Sequence, residues 1–306
     1  MEPLKAYTYT REECGMPTEW THPPFALPLC EPTTDPKTAD VFVVPWEIWQ
    51  LERAGMLETV WGKLPHLRGN EGRHVVFSCG ENTWVRPELP AIWIRCDATR
   101  FTCTLNPTTV PWPWPVADFG ELAAAPDSDI TVDVGFQGWV SNPLVSDCIS
   151  AVGRTKGINA VIRPDKRFYG YVERDNAKEA AELTASYRAL LWRSRMWLCP
   201  VSRPDGVHRY RFYEAMSAGR IAVLLGDGAV FPFGDRIDYA AFTFQVPEFQ
   251  VWDTGELCKK FLAETPRQEL AERGQIGRKA WERWLDRRRW PEILDSVVRE
   301  GLAKCR

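Results

Sequence analysis

The chain has 306 residues, of which 44% are hydrophobic and 26% are charged. This length accommodates two domains of ordinary size, and the hydrophobic content excludes an intrinsically disordered polypeptide. The formal net charge is −3, but the charges are unevenly distributed along the chain. Residues 1–153 hold 20 acidic and 10 basic side chains, whereas residues 154–220 hold 7 acidic and 14 basic ones. We therefore expect anion binding in the second half of the chain.

The first half of the sequence predicts alternating buried strands and helices. Residues 1–38 are rich in proline and predict irregular structure. Strands are predicted at residues 39–45, 72–78, 91–95 and 101–105, with a helix around the apolar positions from Trp49 to Leu57. Strand, helix and strand joined by short links are typical of a doubly wound parallel sheet.

A second α/β set follows a linker, which the prolines of 110–115 and the small polar residues of 123–129 predict. Its predicted strands lie at 130–137, 158–162, 196–200, 221–225 and 241–246. Its predicted helices lie at 142–152, 176–191, 212–218, 265–287 and 291–303. The sequence thus predicts two Rossmann-like domains, residues 1–125 and 126–285, with a C-terminal helix at 286–306 that returns to the first domain.

Nine cysteines are scattered along the chain without a C-x-x-C pair, a distribution typical of reduced thiols in a cytoplasmic protein. The N-terminus has no apolar signal-sequence core, and the chain has no run of about 18 apolar residues. The sequence therefore predicts neither a secretory signal nor a membrane span.

The segment between the strand at 196–200 and the helix at 212–218 carries the strongest functional signal. Its candidate donor-binding residues are Arg203, Gly206, His208, Arg209, Arg211 and Glu214. A helix N-terminus with adjacent arginines offers N–H groups and positive charge to a phosphate or diphosphate. Glu214, one turn into the helix, can accept hydrogen bonds from ribose hydroxyls. The alternative is that Arg211 and Glu214 form an ordinary i,i+3 surface ion pair.

This segment resembles the exostosin family of glycosyltransferases. The matching pieces, in the order of the family pattern, are ADVFVVP at 39–45, GRH at 72–74, SRMWLCP at 194–200, RFYEA at 211–215, GRIAV at 219–223 and PF at 232–233. The chain departs from the pattern at Arg209, where the family usually has serine, and at Ala222, where it usually has proline. The first departure puts the way the diphosphate is held in doubt, whereas the second concerns strand packing.

The resemblance implies a GT-B fold, in which two Rossmann-like domains face each other across a cleft. It further implies an inverting transfer from a nucleotide sugar, commonly a UDP-sugar, to a glycan or other hydroxyl acceptor, with no cofactor and no required metal. Family members in animals and plants are anchored in membranes. Because this sequence predicts no anchor, we expect a cytoplasmic relative from a bacterial cell or a virus-infected host cell.

An inverting transfer needs a general base, and the first domain would supply it. Glu47 follows the strand at 39–45, and the carboxyl end of a parallel strand faces the ligand crevice. His74 is the second candidate, with a buried core histidine as the alternative, and His66 is a weaker third. Trp46, Trp49 and Trp112 are candidates for stacking on acceptor sugars, although most tryptophans pack in cores.

Other interpretations remain open at this point. Asp127 and Asp129 spell the D-x-D pattern that binds metal–diphosphate in another glycosyltransferase architecture, but their setting predicts a turn or helix cap and no metal site. A transferase acting on modified bases of viral DNA is disfavoured by the acidic first domain. A non-catalytic subunit that binds nucleotide sugars is the remaining alternative.

Overall fold

The computed structural model describes residues 2–16, 30–78, 91–96, 98–201 and 210–305, apart from the side chain of Trp49. The chain divides into two compact units. Unit 1 comprises Met1–Trp114, Val230–Phe233 and Arg288–Arg306, and unit 2 comprises Pro115–Ala229 and Gly234–Arg287. The domain boundaries at residues 125 and 285 stay predictions, because compactness alone does not show which segments fold independently.

Unit 1 is built on a parallel sheet with the strand order β2-β1-β3-β4-β5-β6. Its strands are β1 (Lys5–Thr8), β2 (Glu31–Pro32), β3 (Val41–Glu47), β4 (His74–Ser78), β5 (Ile92–Arg95) and β6 (Thr109–Pro111). The three central strands, β3, β4 and β5, are buried along their whole length. Their sequences are almost continuously apolar because strands covered on both faces do not alternate.

The helices between the strands of unit 1 are α1 (Ile48–Arg53), α2 (Leu57–Lys63) and α3 (Arg100–Leu105). The prediction of a strand at 101–105 is therefore wrong, because these residues belong to α3. Thr99 and Thr102 form a capping box, in which the Thr99 N–H donates to Thr102 Oγ1 over 2.8 Å and the Thr102 N–H donates to Thr99 Oγ1 over 3.1 Å. This local cap outweighs the β-propensity of the threonines that follow.

Strand β1 lies in the segment that the sequence predicts to be irregular. Its four residues pair with β2 on one side and with β3 on the other. So short a strand in a proline-rich neighbourhood gives no clear periodicity in the sequence. The pairing with β3 makes it a strand, and this long-range contact is not visible in local sequence.

Unit 2 is built on a parallel sheet with the strand order β11-β10-β9-β7-β8. Its strands are β7 (Val132–Trp139), β8 (Ala160–Asp165), β9 (Ser194–Pro200), β10 (Ile221–Leu225) and β11 (Thr243–Val246). All five strands predicted for this half of the chain are confirmed, with small shifts at their ends. Because β7 lies between β8 and β9, successive connections leave it in opposite directions, which creates a topological switch point.

The helices of unit 2 are α4 (Gly120–Ala123), α5 (Pro143–Arg154), α6 (Tyr169–Asp175), α7 (Ala177–Arg193), α8 (Tyr210–Ser217), α9 (Thr254–Glu264) and α10 (Arg267–Ala280). Gly219 has a φ of +65° where the chain returns from α8 to β10, as its position in the sequence predicts. Helix α9 was not predicted, and the single helix predicted at 265–287 is α10 followed by a π-helical turn, Trp281–Leu285.

The C-terminal helix, α11 (Trp290–Lys304), belongs to unit 1 and packs against β5 and β6. Across the described ranges, no helix combines the length and the apolar character that crossing a lipid bilayer requires.

Candidate active site

The candidate site lies at the carboxyl end of the sheet in unit 2, beside the switch point at β7. Helix α8 is the next described element after β9 along the chain. Four predicted donor-binding residues lie between them, at positions 202–209, outside the described residues: Arg203, Gly206, His208 and Arg209. Their roles stay predictions. Arg211 and Glu214 lie in the first turns of α8 and can be placed in detail.

Arg211 is held against the end of β7. Its guanidinium lies over the Phe136 ring, 4.9 Å from the ring centroid. Nε donates to the Gln137 carbonyl over 3.2 Å, and Nη2 makes a longer contact of 3.5 Å with the Trp139 carbonyl. These contacts use two of the five N–H groups of a guanidinium. The side chain is thus oriented by its own unit and is only partly buried, so it can still donate to an anion.

Gly138 makes this position of Arg211 possible. Its φ of +148° lies outside the range of ordinary residues, and a Cβ at this position would collide with the Arg211 guanidinium. Two features therefore require a glycine at the end of β7: the backbone conformation and the close approach of the guanidinium.

Glu214 and Tyr187 form a hydrogen-bonded pair next to Arg211. The Tyr187 hydroxyl, from α7, donates to Glu214 Oε2 over 2.6 Å. Burial raises the pKa of the Glu214 carboxyl, and the Tyr187 hydrogen bond and the Arg211 charge offset part of that rise. The Tyr187 ring packs edge-on against Trp197 of β9. The carboxylate therefore has a fixed position and retains acceptor capacity at Oε1.

A second polar chain supports the same end of β7. The Arg163 guanidinium donates to Ser186 Oγ over 2.8 Å, and Ser186 Oγ donates to the buried Gln137 amide oxygen over 3.0 Å. The Gln137 amide nitrogen donates to the Leu183 carbonyl. Because Gln137 also accepts from Arg211 through its backbone, this chain connects α7 and β8 to the guanidinium.

Asp165, the last residue of β8, is the second carboxyl near Arg211. Burial raises its pKa, and the Arg211 charge partly counteracts the rise. Tyr187, Gln137, Gly138 and Asp165 were not among the residues selected from the sequence. The available signal was positional, since three of them end the strands next to the switch point.

In unit 1, Glu47 lies at the carboxyl end of β3 and is buried. It is the N-cap of α1, where its Oε2 accepts a hydrogen bond of 2.9 Å from the Gln50 N–H. Glu47 pairs in register with Phe77 of the neighbouring strand β4. This is the sheet end at which ligands of doubly wound sheets bind, as the sequence interpretation requires.

His74 lies at the opposite end, as the first residue of β4, and its side chain is fully buried. Nδ1 lies 2.8 Å from the Asn70 carbonyl, which only accepts, so Nδ1 carries the proton and Nε2 accepts from the Tyr9 hydroxyl over 2.8 Å. The ring stacks on Tyr9 and Phe42. Burial lowers its pKa to about 4. His74 and Phe77 are separated by about 10 Å along β4, so His74 and Glu47 occupy different ends of the sheet.

The tryptophans predicted to stack on acceptor sugars are buried wherever their side chains are described. Trp46 is 4% exposed in the core of unit 1, and Trp112 is 3% exposed between Phe233 and Trp290. Neither ring presents an open face in this structure, and the side chain of Trp49 is outside the description. Acceptor binding by these residues stays a prediction.

Asp127 and Asp129 form a 3-10 turn, Asp127–Asp129, at the start of unit 2. The Asp127 carboxylate pairs with Arg195 over 2.8 Å and also with Arg267. Hydrogen bonding to Arg195 is the main cause that lowers the Asp127 pKa. Within the described ranges, no three His, Cys, Asp or Glu side chains approach one another closely enough to hold a metal ion.

Comparison with solved structures gives the same architecture at low sequence identity. A glycosyltransferase from Rickettsia africae ESF-5 superimposes with a TM-score of 0.51 and 8% identity, over 87% of this chain and 78% of that one. Anabaena Alr3699/HepE in complex with UDP superimposes with a TM-score of 0.50 and 11% identity, over 87% of this chain and 79% of that one. No family model and no curated protein sequence matches the chain. The likeness shows the fold, which is the α/β GT-B type with two Rossmann-like parallel sheets.

Proposed function

We propose that the chain is a glycosyltransferase that takes its sugar from a nucleotide-sugar donor. The position of Arg211 and Glu214 carries this proposal. A partly buried guanidinium and a fixed carboxylate lie side by side at the carboxyl end of a parallel sheet, next to its switch point, where doubly wound sheets bind nucleotides. Because the Anabaena structure is a complex with UDP, a UDP-sugar is the donor to test first.

In this proposal the donor diphosphate binds to Arg211 and the ribose hydroxyls bind to Glu214. The guanidinium stabilises the negative charge that develops on the diphosphate as the sugar leaves. Its hydrogen bonds to β7 hold it in place, so little reorganisation accompanies the transfer. Glu214, fixed by Tyr187, orients the nucleoside.

The finer proposal is an inverting, metal-independent transfer of the kind that the exostosin resemblance implies, to a glycan or another hydroxyl acceptor. We assign the general base to Glu47, because it lies at the carboxyl end of its sheet. We give His74 a structural role, because both ring nitrogens are used inside unit 1 at the other end of the sheet. Glu47 would remove the acceptor proton as the hydroxyl attacks the anomeric carbon.

A donor-turnover assay tests this function. Nucleotide sugars are first screened by the thermal shift they produce, and the best ligand is then incubated with the protein while release of the nucleoside diphosphate is measured. We expect a UDP-sugar to stabilise the protein and to be hydrolysed slowly without acceptor. Binding of the donor without any turnover, with or without acceptors, would instead identify a non-catalytic subunit.

The same assay tests the metal requirement. We expect turnover to persist in EDTA, because Arg211 supplies the positive charge at the diphosphate. Activity that disappears in EDTA and returns with manganese would contradict the metal-independent mechanism. Asp127 and Asp129 would then be the first residues to substitute.

A further inference from the structure

Three exposed aromatic rings form a continuous cluster at the carboxyl end of the sheet in unit 2. Trp139, Phe168 and Tyr171 are 41%, 41% and 53% exposed. The Trp139 and Phe168 rings meet edge-to-face with centroids 6.0 Å apart, and the Phe168 and Tyr171 rings meet in the same way at 5.7 Å. Arg174 lies over the Tyr171 ring, 5.4 Å from its centroid. We call Trp139, Phe168 and Tyr171 the aromatic platform.

Such a cluster is unusual on a surface that contacts only water. A single exposed aromatic residue is common, but contiguous exposed apolar area is characteristic of binding sites. The three rings come from two elements, the end of β7 and the start of α6, and they support one another's orientation. The platform is therefore preformed.

The platform adjoins the proposed diphosphate site through the backbone. The Trp139 carbonyl is one of the two that contact the Arg211 guanidinium. On the other side, β8 ends at Asp165, whose carboxyl lies within the electrostatic influence of Arg211. The helix that carries Tyr171 follows directly after this strand. The same two strand ends thus hold the anion-binding side chain and carry the exposed rings.

We propose that the aromatic platform binds the nucleobase of the donor nucleotide. This inference rests on the proposed function and extends it, because it assigns recognition of the base to residues that the donor motif does not contain. The faces of nucleobases stack on aromatic side chains, and each such contact contributes about 1–3 kcal/mol. The base and the diphosphate of one nucleotide are separated by a single ribose, so their binding sites must be adjacent.

The experiment compares two ligands, UDP and inorganic diphosphate, on the whole protein by calorimetry. The platform variants are Trp139→Leu and Phe168→Ala, whose side chains are exposed, so the fold tolerates their loss. The matched control is Phe249→Ala, an aromatic residue of unit 2 that is 82% exposed and follows β11 at the other edge of the sheet, about 19 Å from β8. Arg211→Ala serves as the variant that affects the diphosphate site.

We expect each platform variant to weaken UDP binding about 5- to 150-fold while leaving inorganic diphosphate binding unchanged. Arg211→Ala should weaken both ligands, and Phe249→Ala should weaken neither. The wild-type protein should bind UDP more tightly than inorganic diphosphate, because only UDP carries the ribose that Glu214 would bind and the base that the platform would bind.

Several results would overturn the inference. Unchanged UDP affinity in both platform variants, with Arg211→Ala still defective, would refute the platform and leave the proposed function standing. Equal losses for UDP and inorganic diphosphate in the platform variants would show that the rings act only by supporting Arg211. A wild-type protein that binds neither ligand would contradict the proposed function itself, and the inference with it.

Discussion

The end of the sheet around Arg211 in unit 2 and the end around His74 in unit 1 both contain buried or half-buried ionisable groups, but they differ in how those groups are satisfied. His74 has a partner on each ring nitrogen and aromatic rings on its faces. Arg211 and Glu214 are oriented by neighbours and retain hydrogen-bonding capacity. His74 lies at the amino end of its strand, whereas the Arg211 site lies at carboxyl ends.

This difference shows that burial of an ionisable residue does not by itself indicate function. A group such as His74, whose hydrogen-bonding atoms all have partners among the neighbouring strands and loops, stabilises that part of the fold. A group that is fixed but incompletely used, at the sheet end where ligands bind, is available for chemistry. Substitutions in the two regions test this division.

The largest expected effect concerns the general base. Glu47→Gln should lower turnover by about 10²–10⁴-fold while leaving donor affinity nearly unchanged, because the amide cannot take the acceptor proton. His74→Gln is the matched control, with the same replacement at the other end of the same sheet, and should turn over donor normally once folded. Steady-state kinetics with UDP-sugar and acceptor measure both. A defect in His74→Gln alone would reverse the assignment.

The second effect is a loss of stability in acid that His74 causes. Its pKa is lowered to about 4 in the folded chain, against 6.5 when solvated. The unfolded chain therefore binds a proton that the folded chain excludes between these values, and stability falls as pH decreases through that window. Between pH 7 and pH 5 we expect His74 to account for about 2 kcal/mol of lost unfolding free energy.

Urea unfolding at the two pH values measures this contribution. In His74→Gln, the difference in unfolding free energy between pH 7 and pH 5 should be about 2 kcal/mol smaller than in wild type, although the variant is less stable at pH 7. Tyr9→Phe is the control, since it removes the hydroxyl that donates to Nε2 and keeps the imidazole. An unchanged pH dependence in His74→Gln would show that His74 is not buried in its neutral form.

The third effect tests how Arg211 is held. Gly138→Ala places a Cβ against the guanidinium and strains a backbone at φ +148°, so Arg211 must move. We expect UDP to bind about tenfold more weakly, which corresponds to about 1.4 kcal/mol. Gly157→Ala is the control, because Gly157 also has a positive φ, +85°. A Cβ at this position would have Lys259 Cε as its nearest atom, 3.4 Å away, and would not meet Arg211. Equal affinities in the two variants would disprove the packing argument.

The smallest effect is a shift in the pH dependence of donor binding. Burial raises the Glu214 pKa and the Tyr187 hydroxyl counteracts this rise, so Tyr187→Phe should raise it further. Because the carboxylate binds the ribose, UDP affinity should fall in acid, and this fall should occur at higher pH in the variant. Tyr169→Phe, which removes a hydroxyl bonded to Thr184, is the control. Superimposable pH profiles of UDP affinity for Tyr187→Phe and wild type would show that the Glu214 carboxylate does not bind the donor.

Most of the fold can be predicted from the sequence because its central strands are buried on both faces and are almost continuously apolar. Residues 221–225, between Arg220 and Gly226, are continuously apolar and form β10 at those positions. The errors occur where another force decides the structure. A capping box makes α3 a helix, and pairing with β3 makes residues 5–8 a strand.

The site is only partly predictable for a related reason. Arg211 and Glu214 belong to one short motif and can be selected together from the sequence. Tyr187 lies 27 residues from its partner Glu214, and the platform residues lie on separate elements. Contacts of this kind depend on how α6 and α7 pack on the sheet, and single-sequence patterns do not specify that packing.

The central claim is that Arg211 holds a donor diphosphate, and calorimetric titration of UDP into wild type and Arg211→Ala tests it most directly. Arg188→Ala, which removes an arginine paired with Glu121 in the same unit, is the control. A charge-assisted contact contributes about 1.5–3 kcal/mol, so we predict UDP affinity about 10- to 150-fold weaker in Arg211→Ala and unchanged in Arg188→Ala. Unchanged affinity in a folded Arg211→Ala protein would contradict the account.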